Sequence, residues 1–272
     1  MPSPTTITIA QLSRLIGVPN GPALIDVRSD EDYAADARLI PGAVPRPALQ
    51  AAAWADEFAG KRVVIYCHAG AKLSQGAAAW LRQAGIAAET LEGGFEAWKA
   101  GGHPLLKTDR LPQRNAQGCT VWVTRERPKI DRIACPWLIR RFVDPNAVFL
   151  FVAPSEVPAV GDRFGATPFD IEGVFFSHRG EACTFDTMLT EFGLETEPLR
   201  RLAAIVRGAD TARLDLVPEA AGLLAVSLGL SRIYRDDREQ LEAAMTVYDG
   251  LYRWARDATD ETHNWPSTKP SP

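Results

Sequence analysis

The chain of 272 residues is long for one domain and comfortable for two, and its 46% hydrophobic and 24% charged residues are ordinary for a globular protein. A net charge of −4 gives no general attraction to nucleic acid or anionic membranes, so an anion site has to be a local cluster. No apolar run approaches the roughly 20 residues that span a bilayer, and the opening residues show no secretory signal pattern. The 4 cysteines, Cys67, Cys119, Cys135 and Cys183, lie too far apart for a disulfide framework or a zinc ribbon. A cytoplasmic protein that works without a cofactor, a nucleic acid or a membrane is the expectation.

Residues 6–9 read as a strand and 10–16 as a helix. A second strand spans 23–27, after which Ser29 caps a helix with Asp32 at its third position. Pro41-Gly42 marks a turn, and 48–58 has a helical pattern. The apolar run 62–66 is a buried strand, followed by a small-residue loop from Cys67 and a helix over 73–84. Another strand covers 87–91, and Gly93-Gly94 leads into Phe95-Glu96-Ala97-Trp98. Alternating strands and helices imply a parallel sheet covered on both faces, with ligands at the carboxyl ends of its strands. Cys67 falls at such an end. A strand-to-helix turn gathers anions through backbone N–H groups and the helix N-terminus, and Lys72 adds a positive charge. The pattern suits a nucleophilic cysteine that meets a small anionic substrate.

Four motifs occur in order: Leu24-Ile25-Asp26-Val27-Arg28 with Glu31 and Tyr33, Ile40-Pro41-Gly42-Ala43, the loop Cys67-His68-Ala69-Gly70-Ala71-Lys72, and Glu92-Gly93-Gly94-Phe95. Together they resemble the rhodanese homology domain over residues 5–106. The resemblance implies a five-stranded α/β domain in which Cys67 takes a sulfane sulfur from thiosulfate or a related anionic donor. Cys67 holds it as a persulfide and passes it to a thiol or cyanide-like acceptor. Cys67 and Lys72 are then the catalytic residues, and His68, Ala69, Gly70, Ala71 and Leu73 form the substrate loop. Asp26, Arg28 and Glu31 are expected to hold the fold through ion pairs. Lysine replaces the usual arginine and loses its bidentate fork. Leu73 stands where a hydroxyl residue is usual, with Ser74 one position later. Related phosphatase loops carry arginine where Leu73 stands, so phosphatase chemistry is not expected.

From 101 to 118 the periodicity lapses, and 107–118 reads as a linker between a first domain, 1–106, and a second, 119–258. In the second, strands are expected at 119–123, 147–152 and 173–177, and helices at 131–142, 184–192, 198–206, 218–234 and 236–257. The tail 259–272 is polar and rich in proline, and is expected to be disordered. Residues 124–142 are densely basic, and a helix start near Pro136 would add N–H groups to an oxyanion surface made by Arg132, Arg140 and Arg141. Cys135 is expected to pack beside Trp137. His178, Cys183 and Asp186 have ligand chemistry without a recognised spacing, and would need help from residues such as Asp131 or Asp210. No metal site is assigned.

Segments 131–142, 168–170, 178–180, 183–185, 205–210 and 218–224 resemble the C-terminal domain of chromate-resistance ChrB-type proteins, although family members often carry histidine where Arg207 stands. The resemblance implies a link to chromate resistance, with chromate as a further ligand. The expected fold is α/β: an N-terminal five-stranded parallel rhodanese-like sheet flanked by helices, plus a mixed α+β, mainly helical C-terminal domain. The expected function is a sulfurtransferase with an accessory domain. The rival is an oxyanion-sensing or regulatory module in which the first domain is a redox or protein-contact platform.

Overall fold

The computed structural model describes residues 5–262. The expected tail lies outside the described residues from 263 onward. Five strands, β1 Thr6–Ile7, β2 Ala23–Asp26, β3 Ala43–Pro45, β4 Arg62–Tyr66 and β5 Ala87–Leu91, form a parallel sheet in the order β1-β5-β4-β2-β3. The accompanying helices are α1 Ile9–Ser13, α2 Asp30–Ala35, α3 Ala51–Trp54, α4 Lys72–Gln83 and α5 Gly94–Ala100.

Side-chain alternation along β4 separates the two faces of the sheet. Val63 and Ile65 pack in one cluster with Trp54 of α3 and Ala77, Ala78 and Leu81 of α4. Val64 and Tyr66 belong to the other, with Leu12 of α1 and Phe95 and Trp98 of α5. Each fully buried large aliphatic residue contributes about 1.5–3 kcal/mol relative to exposure. A two-faced apolar strand of this kind fixes β4 centrally, and so fixes where Cys67 emerges.

The second sheet is also parallel, in the order β7-β6-β8, from β6 Val121–Arg125, β7 Val148–Val152 and β8 Thr167–Pro168. Helix α6, Asp131–Leu138, connects β6 to β7, and α7, Val157–Phe164, connects β7 to β8. Four helices follow: α8 Thr184–Phe192, α9 Glu197–Asp210, α10 Ala220–Ile233 and α11 Asp237–Asp257.

The two halves share one buried cluster, which joins Leu24, Tyr66 and Trp98 to Trp122, Trp137 and Phe142. Gly17 is one point of close contact. A Cβ there would lie 2.2 Å from the Phe142 ring, and φ is +73°, so only glycine fits. The Gly42 N–H donates to the Phe142 carbonyl at 2.6 Å. In the stretch expected as a linker, the Lys107 N–H donates to the Phe192 carbonyl and Arg114 pairs with buried Asp144 at 2.9 Å.

Several expected elements differ. The first strand stops at Ile7 because Thr8 becomes the N-cap of α1, in a capping box with Gln11. Residues 48–58 form short α3 between two 3₁₀ turns instead of one helix. Gly173 turns the chain at φ +82°, and 173–177 is no strand, with only Phe176 bridging Phe169. The expected helix start near Pro136 is overturned. Helix α6 begins at Asp131, and Pro136 lies inside it. Proline cannot donate to a carbonyl one turn back. The helix then widens into a π turn over Ile139–Val143, closed by the Asp144 N–H on the Ile139 carbonyl.

Candidate functional site

Cys67 leaves the carboxyl end of β4 and is 5% exposed. Its Sγ accepts from the Ala71 N–H at 3.3 Å and lies 3.3 Å from the Ser74 hydroxyl. Ser74, fully buried in the first turn of α4, also donates to the Ala71 carbonyl at 3.1 Å. It carries one proton, so while that proton serves Ala71 its oxygen accepts from the thiol, and a thiolate requires the hydroxyl to turn. Ser74 thus reaches the sulfur from one residue beyond the usual hydroxyl position. Leu73 packs against the α3–α4 side.

The glycines of the two loop motifs exist to let these backbones meet. Gly70, at φ +66°, would place a Cβ 2.6 Å from the Leu91 carbonyl. Gly94, at φ +60°, would place one 2.3 Å from both the Cys67 carbonyl and the Gly70 nitrogen. The Phe95 and Glu96 N–H groups donate to the Cys67 and His68 carbonyls at 3.0 Å each. The loop is thus clamped to the start of α5. His68 and Ala69 are exposed, as are Ala71 and Lys72. The His68 ring lies 3.8 Å from Glu96. Lys72 is the first residue of α4, at the end where anions are favoured.

Asp26 and Arg28 form a buried ion pair with side chains 1% exposed, joined by three contacts of 2.7–3.1 Å. Arg28 also donates to the Asp36 and Arg38 carbonyls and lies over the Phe95 ring at 3.9 Å. The pair holds the β2 exit against α5, as the sequence implied. Glu31 is exposed in the first turn of α2.

The three arginines expected to bind an oxyanion do not converge. Arg132 is in the first turn of α6, and Arg140 and Arg141 lie in the π turn beyond its end, a rise of about 12 Å along the helix. Arg140 pairs with Glu242 at 2.5 Å, and Arg141 holds Asp249 through two contacts of 2.8 Å. Arg140 and Arg141 border a cleft of about 410 Å³ between the halves, with Gly17, Asn20, Arg62 and Asn146. Arg62 starts β4, whereas Cys67 follows its end, so this cleft opens about 16 Å along the strand from the thiol. Cys135 is buried, as expected.

A second group gathers at the carboxyl edge of the smaller sheet. His178 Nε2 lies 3.4 Å from Asp131 Oδ2, 3.5 Å from Asp170 Oδ1 and 3.1 Å from Asp210 Oδ2. Cys183 and Asp186 do not join them. Cys183 caps α8, where its N–H donates to Asp186, and Asp186 pairs with Arg207 at 2.6 Å. Burial, then Asp170, raises the buried Asp131 carboxyl. Burial pushes Asp210 up to about 7, helped by Asp131 and Asp170. Asp131 and Asp170 hold His178 up to about 10. Sequence reasoning missed Asp170 in this role. The available signal was its place two residues after the short strand β8, at the edge where parallel sheets bind ligands.

Comparison with known proteins divides the chain in the same way. Residues 8–101 match the rhodanese-like domain model, and 122–255 match the model of the ChrB C-terminal domain. Protein ChrB of Cupriavidus metallidurans is 38% identical over 155 residues, which cover 56% of this chain and 46% of that protein. The match therefore spans under half of that relative's length. A rhodanese-related protein from Thermoplasma volcanium is 24% identical over 37% of this chain and 95% of its own, with TM-score 0.33. A rhodanese-like domain protein from Staphylococcus aureus is 28% identical over 35% of this chain and 90% of its own, with TM-score 0.32. The chain thus pairs a segment similar to rhodanese-like domains with one similar to the ChrB C-terminal domain.

Proposed function

We propose that the protein is a sulfurtransferase whose Cys67 carries a persulfide, with an accessory domain related to chromate resistance. The observation that carries this reading is the clamped loop, which presents one cysteine at the end of a central strand, contacted by the Ala71 N–H and the Ser74 hydroxyl. The Cys67 thiolate attacks the sulfane sulfur of a donor such as thiosulfate. The donor S–S bond breaks and sulfite leaves with its electron pair. A thiol or cyanide then takes the outer sulfur and returns the thiolate. The loop N–H groups, the α4 N-terminus and Lys72 favour the anionic donor. The rival, oxyanion sensing through Arg140 and Arg141, has less support because both charges already meet carboxylates.

Cyanide-dependent thiocyanate formation, measured with thiosulfate and with other sulfane donors, tests the proposal. Wild type turns over with at least one donor and accumulates a one-sulfur adduct on Cys67, and Cys67→Ala does neither. Equal inactivity of both with every donor rejects it.

A further inference from the structure

We propose that Asp131, Asp170 and His178, with Asp210 beside them, form a binding site for a divalent first-row transition metal ion. The ligand atoms of Asp131, Asp170 and His178 all lie within 4.8 Å of one another. The separations from His178 Nε2 to the three carboxylates, 3.1–3.5 Å, are those of ligands sharing one ion. With metal bonds of about 2.1 Å, neighbouring ligands stand about 3.0 Å apart in an octahedron and about 3.4 Å apart in a tetrahedron. Hydrogen bonding alone accounts poorly for this geometry, because a single Nε2–H cannot serve three carboxylates.

The surroundings fix the carboxylates with their inner oxygens towards the imidazole. Asp131 has a fully buried side chain and accepts from the Thr184 and Phe185 N–H groups at the start of α8. Asp170 Oδ2 is held by Arg125 at 3.2 Å and Arg132 at 3.3 Å, and Thr184 donates to its Oδ1 at 2.9 Å. Outer partners of this kind orient metal ligands and reduce the rearrangement needed on binding. His178 is 41% exposed, which leaves an entry path for the ion.

A buried polar group at the carboxyl end of β6 also lacks a partner. The Thr124 hydroxyl is fully buried and has no hydrogen-bond partner. Thr124 shares a face of β6 with Trp122, which packs against Phe192 of α8. Continued by one residue, the β6–β8 register sets it beside Phe169, the residue before Asp170. A buried hydroxyl left open calls for a partner such as an ordered water. Oxygen donors with one imidazole suit manganese, iron, cobalt or zinc in the divalent state better than a soft ion. The buried thiols Cys135 and Cys183 are not needed.

The test is titration of the full chain, stripped with chelator, with Mn²⁺, Co²⁺ and Zn²⁺. Calorimetry gives stoichiometry, thermal unfolding gives stabilisation, and the visible spectrum of the Co²⁺ form gives the ligand type. Wild type should take up one ion, rise in unfolding midpoint and show no thiolate charge-transfer band. His178→Gln should lose binding, and Asp210→Asn should weaken it at least tenfold. Without metal, Asp210→Asn should unfold no earlier than wild type, since it relieves repulsion among carboxylates. A purely structural role for Asp210 would instead lower that midpoint. No saturable binding of any of the three ions overturns the proposal, as does equal binding by wild type and His178→Gln.

Discussion

Ser74 Oγ lies 3.3 Å from Cys67 Sγ, bringing a hydroxyl against the nucleophile from inside the first turn of α4. A hydrogen bond to a charged group is worth about 1.5–3 kcal/mol. Ser74→Ala should therefore slow persulfide formation by about tenfold or more. Single-turnover transfer from thiosulfate measures it, with thermal unfolding as the control. An unchanged rate in a normally folded variant would assign Ser74 to packing alone.

Arg28 should be far more sensitive than a surface arginine. Removing one partner of a buried pair leaves the other charge uncompensated, which costs about 3–5 kcal/mol. Arg28→Met strands Asp26, while Asp26→Leu combined with Arg28→Met removes both charges. Urea unfolding should show the single variant to be less stable than the double. The reverse order would mean that Asp26 stabilises the fold without the guanidinium, through the bond it accepts from the N–H of residue 28.

The two halves should melt together. Phe142→Ala empties the space that Gly17 leaves for its ring, at a cost of about 3–5 kcal/mol. Calorimetry should show one transition in wild type and a lower one in the variant. Two independent transitions in wild type would contradict a shared core.

In chelator-treated protein, stability should fall on the alkaline side. His178 is held up to about 10 by Asp131 and Asp170, whereas the unfolded imidazole titrates near 6.5. Between these values the folded chain keeps a proton that the unfolded chain has released. The contribution is complete below about pH 6.5 and is lost as pH rises through about 10. Urea midpoints measured across that window should drop less in His178→Gln than in wild type. Parallel profiles would show that His178 does not carry the effect.

The central strands β2 and β4 were legible because they are short, largely apolar runs, and the nucleophile follows one of them. The edge strand β3 was not, since three residues ending in Pro45 carry no period. Ser74 looked one position late because spacing from Cys67 does not reveal that a helix turn carries its hydroxyl back to the sulfur. The partners of the arginines were illegible for a different reason. Charge density along 124–142 is visible in the sequence, but Glu242 and Asp249, which meet Arg140 and Arg141, come from α11. His178, Asp131 and Asp210 were legible as residues with ligand chemistry, but Asp170 and the convergence of all four were not, because they come from separate segments.

Strand β4 has Arg62 on the interdomain cleft and Cys67 at its other end. A molecule lodged in the cleft and a sulfur donor at the thiol would occupy different space, so both can be bound at once. A cleft ligand that slows sulfur transfer would therefore lower the maximal rate without competing with the donor, and its effect would have to travel through the strand between them.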